Sequence, residues 1–207
     1  AEIDKKGNWT KPYLVVGEGI NTVDNEGTVC FDSRYKLMFF TRCPNLKKTN
    51  LGCDIWMSEA KGKDEWKAPT KVVIKAHDSV SVGHPCTEDG KYLIFASDMA
   101  GGMGGMDLWY TNYDKKSDTW SLPANMGPQI NTKGNELFPT FGLNGELFFA
   151  SDGMPGMGGL DIFRATRVGT ENKWENATNL GAPINSINND YALIEETARK
   201  GYFTSER

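Results

Sequence analysis

One stretch of this sequence has residues that could bind a metal ion: Gly101–Asp107, which reads GGMGGMD. The pattern G-G-x-G-x-D binds calcium in tandem nine-residue repeats, but here the aspartate comes one residue late, and the stretch recurs 54 residues later, ending at Asp161. No helical pattern follows the glycines, which argues against a nucleotide-binding loop. The alternative is a structural loop in which glycines adopt positive φ and the aspartate accepts backbone N–H groups. We adopt this interpretation and expect neither a metal nor a cofactor.

Four cysteines, Cys30, Cys43, Cys53 and Cys86, are the other candidate metal ligands. Zinc sites use two close pairs, whereas the spacings here are 13, 10 and 33 residues. Cys43 ends one apolar run and Cys53 directly precedes the next, so antiparallel pairing of these runs would bring both to the mouth of one hairpin. We therefore predict a Cys43–Cys53 disulfide, which favours an extracytoplasmic location; two free thiols in a reducing compartment are the alternative. We expect Cys30 and Cys86 to be free.

No motif indicates catalytic side chains. The two histidines are His77 and His84, and no nucleophile motif such as G-x-S-x-G is present. His84-Pro85 aligns with Phe138-Pro139 one repeat later, so we interpret His84 as a residue at a strand start rather than as a base. We predict no catalytic residues and no enzyme activity. The alternative is a glycan-binding or glycan-hydrolysing protein whose carboxylates come from different repeats.

A repeat of 54 or so residues must position these loops, because three residue types recur with that period. Tryptophans recur at spacings of 57, 54 and 54 residues, phenylalanines at 55, 54 and 54, and aspartates at 53 and 54. Three columns with one period indicate a structural repeat. We interpret the tryptophans and aspartates as its structural anchors. The columns are Trp9, Trp66, Trp120 and Trp174; Phe40, Phe95, Phe149 and Phe203; and Asp54, Asp107 and Asp161.

Each repeat is predicted to contain four short strands. Lys91–Ser97 (KYLIFAS) is apolar and has the length of a strand. Asp89-Gly90 precedes it and Asn144-Gly145 precedes its copy, and these dipeptides are preferred in tight hairpin turns. The Gly/Met loop comes next, followed by a third strand at Asp107–Asn112, a polar turn, and a fourth strand through Trp120.

Repeats of four antiparallel strands are typical of β-propeller blades, in which neighbouring sheets stack around an axis. The predicted fold class is therefore all-β, a single β-propeller domain or fragment over residues 1–207. The chain ends are out of phase with the repeat: either they complete one blade of a four-bladed ring, or, as we favour, the chain is part of a larger ring. The predicted limits are a partial blade at 1–22, blades at 23–76, 77–132 and 133–186, and a partial blade at 187–207.

The motifs FASD, the Gly/Met loop, DLW or DIF, and then NMGPQINT or NLGAPINS resemble PD40-type (WD40-like) propeller repeats of OmpA-family outer-membrane-associated proteins. The resemblance covers essentially the whole chain, although the first full repeat lacks the glycine run. It implies a periplasmic, outer-membrane-associated, non-catalytic scaffold for protein–protein interactions in a cell-envelope complex, type IX secretion being one such setting. Peptidoglycan contact would come only through domains absent from this chain.

Methionines in or beside the Gly/Met loops are candidate contact residues for protein partners, because flexible thioethers suit varied apolar contacts. The alternative is that they fold back over the strand ends. Nucleic acid is not expected as a partner, since the formal net charge is −4 and no basic stripe is present. Direct membrane insertion is not expected either, because no apolar run approaches the ~18 residues that span a bilayer. The candidate contact residues are Met99, Met103, Met106, Met154 and Met157.

Overall fold

The computed structural model describes residues 3–45, 51–62, 64–169 and 172–207, and the regular elements in these residues are β-strands. They form four sheets that follow one another along the chain. The first sheet comprises β1 (Val16–Gly17), β2 (Asn25–Phe31), β3 (Leu37–Cys43), β4 (Asp54–Gly62), β5 (Glu65–Trp66) and β6 (Thr70–Lys71). The second comprises β7 (Val82–Thr87), β8 (Tyr92–Ser97), β9 (Asp107–Asp114), β10 (Thr119–Trp120) and β11 (Ala124–Asn125). The third comprises β12 (Glu136–Phe141), β13 (Leu147–Ser151), β14 (Asp161–Ala165) and β15 (Thr178–Asn179), and the fourth comprises β16 (Asp190–Thr197) and β17 (Lys200–Ser205).

The predicted meander is present in the sheets. The second sheet has the order β7-β8-β9-β10, the third has β12-β13-β14-β15, and neighbouring strands in both are antiparallel. The first sheet has the same meander in the order β2-β3-β4-β5, and β1 extends it by pairing with β5 in parallel. In the turns between the first two strands, Gly90 and Gly145 adopt φ of 74° and 80°, a conformation that glycine reaches without a Cβ clash.

The fourth strand is interrupted in the first and second sheets. In the second sheet β9 pairs first with β10 and then with β11, and in the first sheet β4 pairs with β5 and then with β6. Pro123 and Pro69 lie in the two interruptions. Proline has no backbone N–H to donate to a neighbouring strand, so the pairing stops there and resumes beyond it.

Alternate side chains of each strand face opposite neighbouring sheets. Leu147 and Phe149 of β13 share a buried cluster with Ile94 of the second sheet, whereas Phe148 packs with Leu193 of the fourth sheet. The third sheet is therefore covered on both faces. Stacking of successive sheets in this way, with their first strands side by side, makes the protein a β-propeller.

The N-terminal segment lies against the fourth sheet. Ile3 and Trp9 form an isolated antiparallel bridge, and the Trp9 ring is 5.7 Å from the ring of Tyr202 in β17. Both ends of the described chain therefore meet at one side of the propeller. No helix within the described residues has the length and hydropathy needed to cross a membrane.

Candidate functional site

The first strands of the four sheets line a cavity of about 800 Å³, the central cavity. The neighbours are β2 with β7, β7 with β12, and β12 with β16. Because each strand contributes a short run of side chains, the lining combines residues from positions that are far apart in the sequence. Apolar and aromatic groups predominate, among them Phe31, Tyr35, Phe138, Phe141, Leu143 and Ile194.

Each of these strands is interrupted by a β-bulge, and each bulge holds a non-glycine residue at positive φ. The values are 34° at Thr28, 50° at His84, 52° at Phe138 and 56° at Ala192. Such a conformation costs an L-residue about 1–2 kcal/mol, so four occurrences at repeat-equivalent positions must be held in place by the surrounding packing. All four residues line the central cavity. The bulges therefore direct one side chain from each sheet towards the axis.

Aromatic contacts connect three of the four sheets beside the cavity. The His84 imidazole is 4.2 Å from the Phe138 ring, and that ring stacks on Tyr191 at 4.7 Å. The backbone N–H of His84 donates to Thr41 Oγ1 at 3.0 Å, and Thr41 Oγ1 is 2.7 Å from Thr28 Oγ1. One threonine of β3 thus ties the bulges of β2 and β7 together.

The imidazole of His84 is held in its neutral form. Burial lowers the pKa of His84 from 6.5 to about 4, and Nδ1 has no hydrogen-bond partner among the described residues. His84 lies within β7, in keeping with its interpretation as a strand residue.

Cys30 and Cys86 also line the cavity, and both are free thiols, as the sequence predicts. Burial raises the pKa of Cys30 to about 12 and raises the pKa of Cys86 well above its ordinary value. The thiolate is the reactive form of cysteine, so neither side chain is poised as a nucleophile at neutral pH.

Among the described lining residues, the carboxylates come from two of the four sheets. Asp32 is buried, and its Oδ1 accepts the backbone N–H groups of Lys36 and Leu37 at 2.6 and 2.7 Å. Asp89 accepts backbone N–H groups in the turn after β7, and Glu88 forms an ion pair with Arg167 at 3.6 Å. Each carboxylate therefore has a structural partner within the protein.

A smaller cavity of about 260 Å³ lies beside the central cavity. Thr28 and His84 line both cavities, and Met106, Cys43 and Cys53 also line the smaller one. These two cysteines form the predicted disulfide, with Cα atoms 4.1 Å apart. Cys43 ends β3 and Cys53 directly precedes β4, so the bridge closes the mouth of this hairpin.

The aspartates of the Gly/Met loops hold the loop backbone. Asp107 accepts the N–H groups of Met103 and Gly104, and Asp161 accepts those of Met157 and Gly158. Both carboxylates are buried; Asp107 uses both of its oxygens as acceptors, whereas Asp161 uses Oδ2, and its Oδ1 has no hydrogen-bond partner among the described residues. No group of three or more His, Cys, Asp or Glu side chains in the described part of the chain is arranged to hold a metal.

The first repeat holds its aspartate differently. Asp54 forms ion pairs with Lys71 at 2.8 Å and Lys75 at 2.9 Å, and the largely buried Lys75 ammonium also donates to the carbonyls of Cys53 and Val80. In this repeat lysine ammonium groups contact the aspartate, whereas backbone N–H groups donate to it in the other two repeats. The residues 46–50 of this loop lie outside the described residues.

The candidate contact methionines fall into two groups. Met103 and Met157 occupy equivalent positions and are 43% and 46% exposed. Met99, Met106 and Met154 are half-buried and pack against the core between sheets. Met103 and Met157 are therefore exposed at the loop surface and stay candidate contact residues, whereas the other three fold back against the core.

Two of the anchor tryptophans, Trp120 and Trp174, lie at sheet-to-sheet contacts, whereas Trp66 packs against Phe31 of its own sheet. Trp174 is buried, while Trp66 and Trp120 are half-buried, and Trp120 packs edge-on against Phe39 of the preceding sheet at 6.0 Å. The Arg167 guanidinium lies 5.0 Å from the Trp174 ring centre, in a cation–π geometry. Trp9 is an exception, since it is exposed.

The first strands of the third and fourth sheets each begin with a buried acidic residue, which the sequence analysis did not identify. Glu136 accepts the backbone N–H and the hydroxyl of Thr132 at 2.9 and 2.6 Å, and Asp190 accepts the same groups of Ser186. Burial raises the pKa of Glu136. The signal was a hydroxyl residue four positions before an acid, which occurs in both repeats and again at Thr22 and Glu26.

No family model and no curated protein matches the chain. Among solved structures, a puromycin-hydrolysing peptidase of Mycobacterium tuberculosis aligns with a TM-score of 0.51 and 14% identity, over 78% of this chain and 23% of the peptidase. The Hadza microbial sialidase Hz136 aligns with a TM-score of 0.44 and 15% identity, over 72% of this chain and 36% of the sialidase. The chain thus spans about a quarter of the peptidase, and this similarity concerns the fold. Because the peptidase is an enzyme, the fold is compatible with catalysis.

Proposed function

We propose that this chain is a non-catalytic binding module that presents its central cavity and loop surface to other proteins of a cell-envelope complex. The observation that carries the proposal is the set of four bulges at Thr28, His84, Phe138 and Ala192, which face one cavity. Strained backbone that recurs around one cavity is a common mark of a binding site. Apolar walls with a few polar groups suit the side chains of a protein segment.

The titratable groups of the cavity favour binding over catalysis. His84 has a pKa of about 4, which makes it a weak base at neutral pH, and the Cys30 pKa of about 12 keeps that thiol protonated. Catalytic groups generally have pKa values tuned towards the working pH, which is the opposite direction. Asp32 and Asp89 are already occupied by backbone N–H groups.

The disulfide supports a location outside the cytoplasm, because such bridges persist in oxidising compartments. Together with the resemblance to PD40-type repeats of OmpA-family proteins, it favours the periplasm, in association with the outer membrane. Type IX secretion complexes are the candidate setting that this resemblance suggests. Under this proposal the protein contacts other envelope proteins directly and does not itself enter the membrane.

Site-specific crosslinking tests the proposed binding surface. A photoreactive residue is introduced at the cavity-lining positions Tyr35 or Ile194, at the loop position Met157, or at the control position Val73, all of which are exposed. The variants are irradiated in envelope fractions of the organism that makes the protein. We expect the same discrete partner bands from the cavity and loop positions and none from Val73.

A parallel assay addresses enzymatic activity. The protein is incubated with peptide and glycoside substrate libraries, and His84→Phe and Cys30→Ser variants serve as controls. Turnover that either substitution removes would contradict the proposal, as would identical crosslinking from Val73. The glycan alternative requires carboxylates from three sheets in the cavity, whereas those in the described lining come from two.

A further inference from the structure

Tyr35 lies at a turn position that is occupied by glycine in the next two repeats. Its backbone N–H donates to the Asp32 carbonyl at 2.9 Å, just as the N–H of Gly145 donates to the Gly142 carbonyl at 3.0 Å. The φ angle is 53° at Tyr35, against 74° at Gly90 and 80° at Gly145. This left-handed conformation is unfavourable for a bulky side chain and accessible to glycine. The backbone of this turn therefore gives no reason for a tyrosine.

Packing gives no reason for it either. The side chain of Tyr35 is 71% exposed and lines the central cavity, with the Phe31 ring 5.8 Å from its own. A strained residue that gains little burial is a candidate for a direct role in binding. The exposed ring offers a ligand an aromatic surface at the edge of the cavity.

The turn after β7 lies against the turn of Tyr35 and supplies carboxylates. The N–H of Ser33 donates to the Glu88 carbonyl at 2.8 Å, and both Glu88 and Asp89 line the cavity. Glu88 pairs with Arg167 at 3.6 Å, whereas Oδ1 of Asp89 accepts two backbone N–H groups of its own turn. In the described residues, Oδ2 of Asp89 has no hydrogen-bond donor and no basic side chain pairs with this carboxylate. The exposed Asp89 therefore keeps a negative charge available to a ligand.

The lining attracts a cation and contributes none. No lysine or arginine of the described chain lines the central cavity, although the sequence has 23 of them. The third carboxylate of the lining, Asp32, is buried and pairs with the side chain of Arg34 at 3.4 Å. The ring faces of Tyr35, Phe138 and Phe141 attract ammonium and guanidinium groups, and the free carboxylate attracts them by charge. Charge complementarity thus favours a basic occupant, and the apolar walls favour apolar residues beside it.

We propose that the turn site formed by Tyr35, Glu88 and Asp89 binds a lysine or arginine side chain of an extended partner segment whose neighbouring residues are apolar. The cation lies over the Tyr35 ring and pairs with Asp89, while the apolar neighbours contact the Phe138 and Phe141 walls of the cavity. This inference rests on the proposed function, because it names the chemistry of the protein segment that the cavity receives.

Two variants remove the turn site with residues that the third repeat already uses. Tyr35→Gly introduces the glycine of Gly145, and Asp89→Asn introduces the asparagine of Asn144, which keeps an Oδ1 acceptor for the turn. We expect the melting temperature of Tyr35→Gly to equal or exceed that of the wild type, since the strained conformation is relieved. Loss of binding without loss of stability separates a binding role of Tyr35 from a structural one.

A phage-displayed library of random peptides, selected on the intact chain, is the probe. We expect the selected peptides to carry lysine or arginine between apolar residues. Fluorescence anisotropy with the peptide selected most often should show about tenfold weaker binding to Tyr35→Gly and to Asp89→Asn, and a similar loss when its basic residue is replaced by glutamine. Tyr35→Phe keeps the ring and should bind more tightly than Tyr35→Gly. Leu122→Ser, at an exposed site away from the cavity, should leave the affinity unchanged.

Three results would overturn the inference: no selected peptide, selected peptides without basic residues, or affinities that Tyr35→Gly and Asp89→Asn leave unchanged. Crosslinking from position Ile194 in an Asp89→Asn background separates this outcome from failure of the proposed function. Partner bands as strong as in the wild-type background would overturn the cation site alone and leave the binding module in place. Absence of partner bands from every cavity and loop position of the wild type would reject the binding module and this inference with it.

Discussion

His84 makes the stability of this protein depend on pH, and replacing it by phenylalanine should remove that dependence. Phenylalanine is the matched substitution because Phe138 occupies the equivalent bulge with φ of 52°, against 50° for His84. A ring at position 84 can therefore keep its contact with Phe138 without a new backbone conformation. What the substitution removes is the titratable imidazole.

The magnitude follows from the pKa of His84, which burial lowers from 6.5 to about 4. As the pH falls through 6.5, His84 binds a proton in the unfolded chain but stays neutral in the folded protein. The folded state therefore loses stability until the pH reaches the pKa of His84 in the folded state. The loss is about 2 kcal/mol between pH 7.5 and pH 5, and about 3 kcal/mol once the pH is below 4. The opposite sign would require a raised pKa in the folded state.

Urea unfolding followed by tryptophan fluorescence at pH 7.5 and pH 5 measures this loss. We expect the wild-type protein to lose about 2 kcal/mol more than His84→Phe over this interval. Contributions of the carboxylates are shared by both proteins and cancel in the difference. His77→Gln is the control, since His77 is exposed, and it should behave as the wild type. Equal pH dependence in His84→Phe and wild type would refute the assignment of a buried, neutral imidazole.

Three further predictions concern stability. Removing the disulfide with Cys43→Ser and Cys53→Ser should lower the free energy of unfolding by about 2–3 kcal/mol, because a ten-residue link no longer restricts the unfolded chain, and a reductant should then have no further effect on the melting temperature. Asp161→Ala should cost about 1–3 kcal/mol in chemical denaturation, because two loop N–H groups lose their acceptor; an unchanged midpoint would argue that water replaces the carboxylate. Ala192→Gly should raise the free energy of unfolding by up to about 1 kcal/mol by relieving the strain at φ 56°, whereas Ala165→Gly within β14 should lower it.

The sheets could be predicted because their determinants are local and repeated. Phe95 and Phe149 occupy the same place in a short apolar run, and the aspartates that follow mark the next strand. The Cys43–Cys53 bridge could be predicted for the same reason, since each cysteine adjoins a strand of one hairpin. Pattern and spacing were sufficient wherever the partners lie in one sheet.

The cavity could not be predicted, because its determinants have no shared residue type. Thr28, His84, Phe138 and Ala192 have different side chains, and positive φ is usually signalled by glycine or asparagine. The bulge is imposed by pairing with the second strand and by packing of neighbouring sheets, which a sequence pattern does not contain. Spacing placed His84 and Phe138 in one column without indicating that either faces the axis.

The four bulge residues share one backbone conformation but have different side chains, and this combination affects what the cavity can bind. The backbone fixes four positions around one axis, and each sheet supplies its own group there: a hydroxyl from Thr28, an imidazole from His84, a phenyl ring from Phe138 and a methyl group from Ala192. Since Thr41 holds the first two bulges through backbone and hydroxyl contacts, their geometry does not depend on the imidazole itself. Selectivity can therefore change by substitution at these positions while the strands keep their register. A propeller with equal bulges and identical side chains would present a symmetric cavity, whereas this one presents a polar and an apolar side, which suits an asymmetric protein segment.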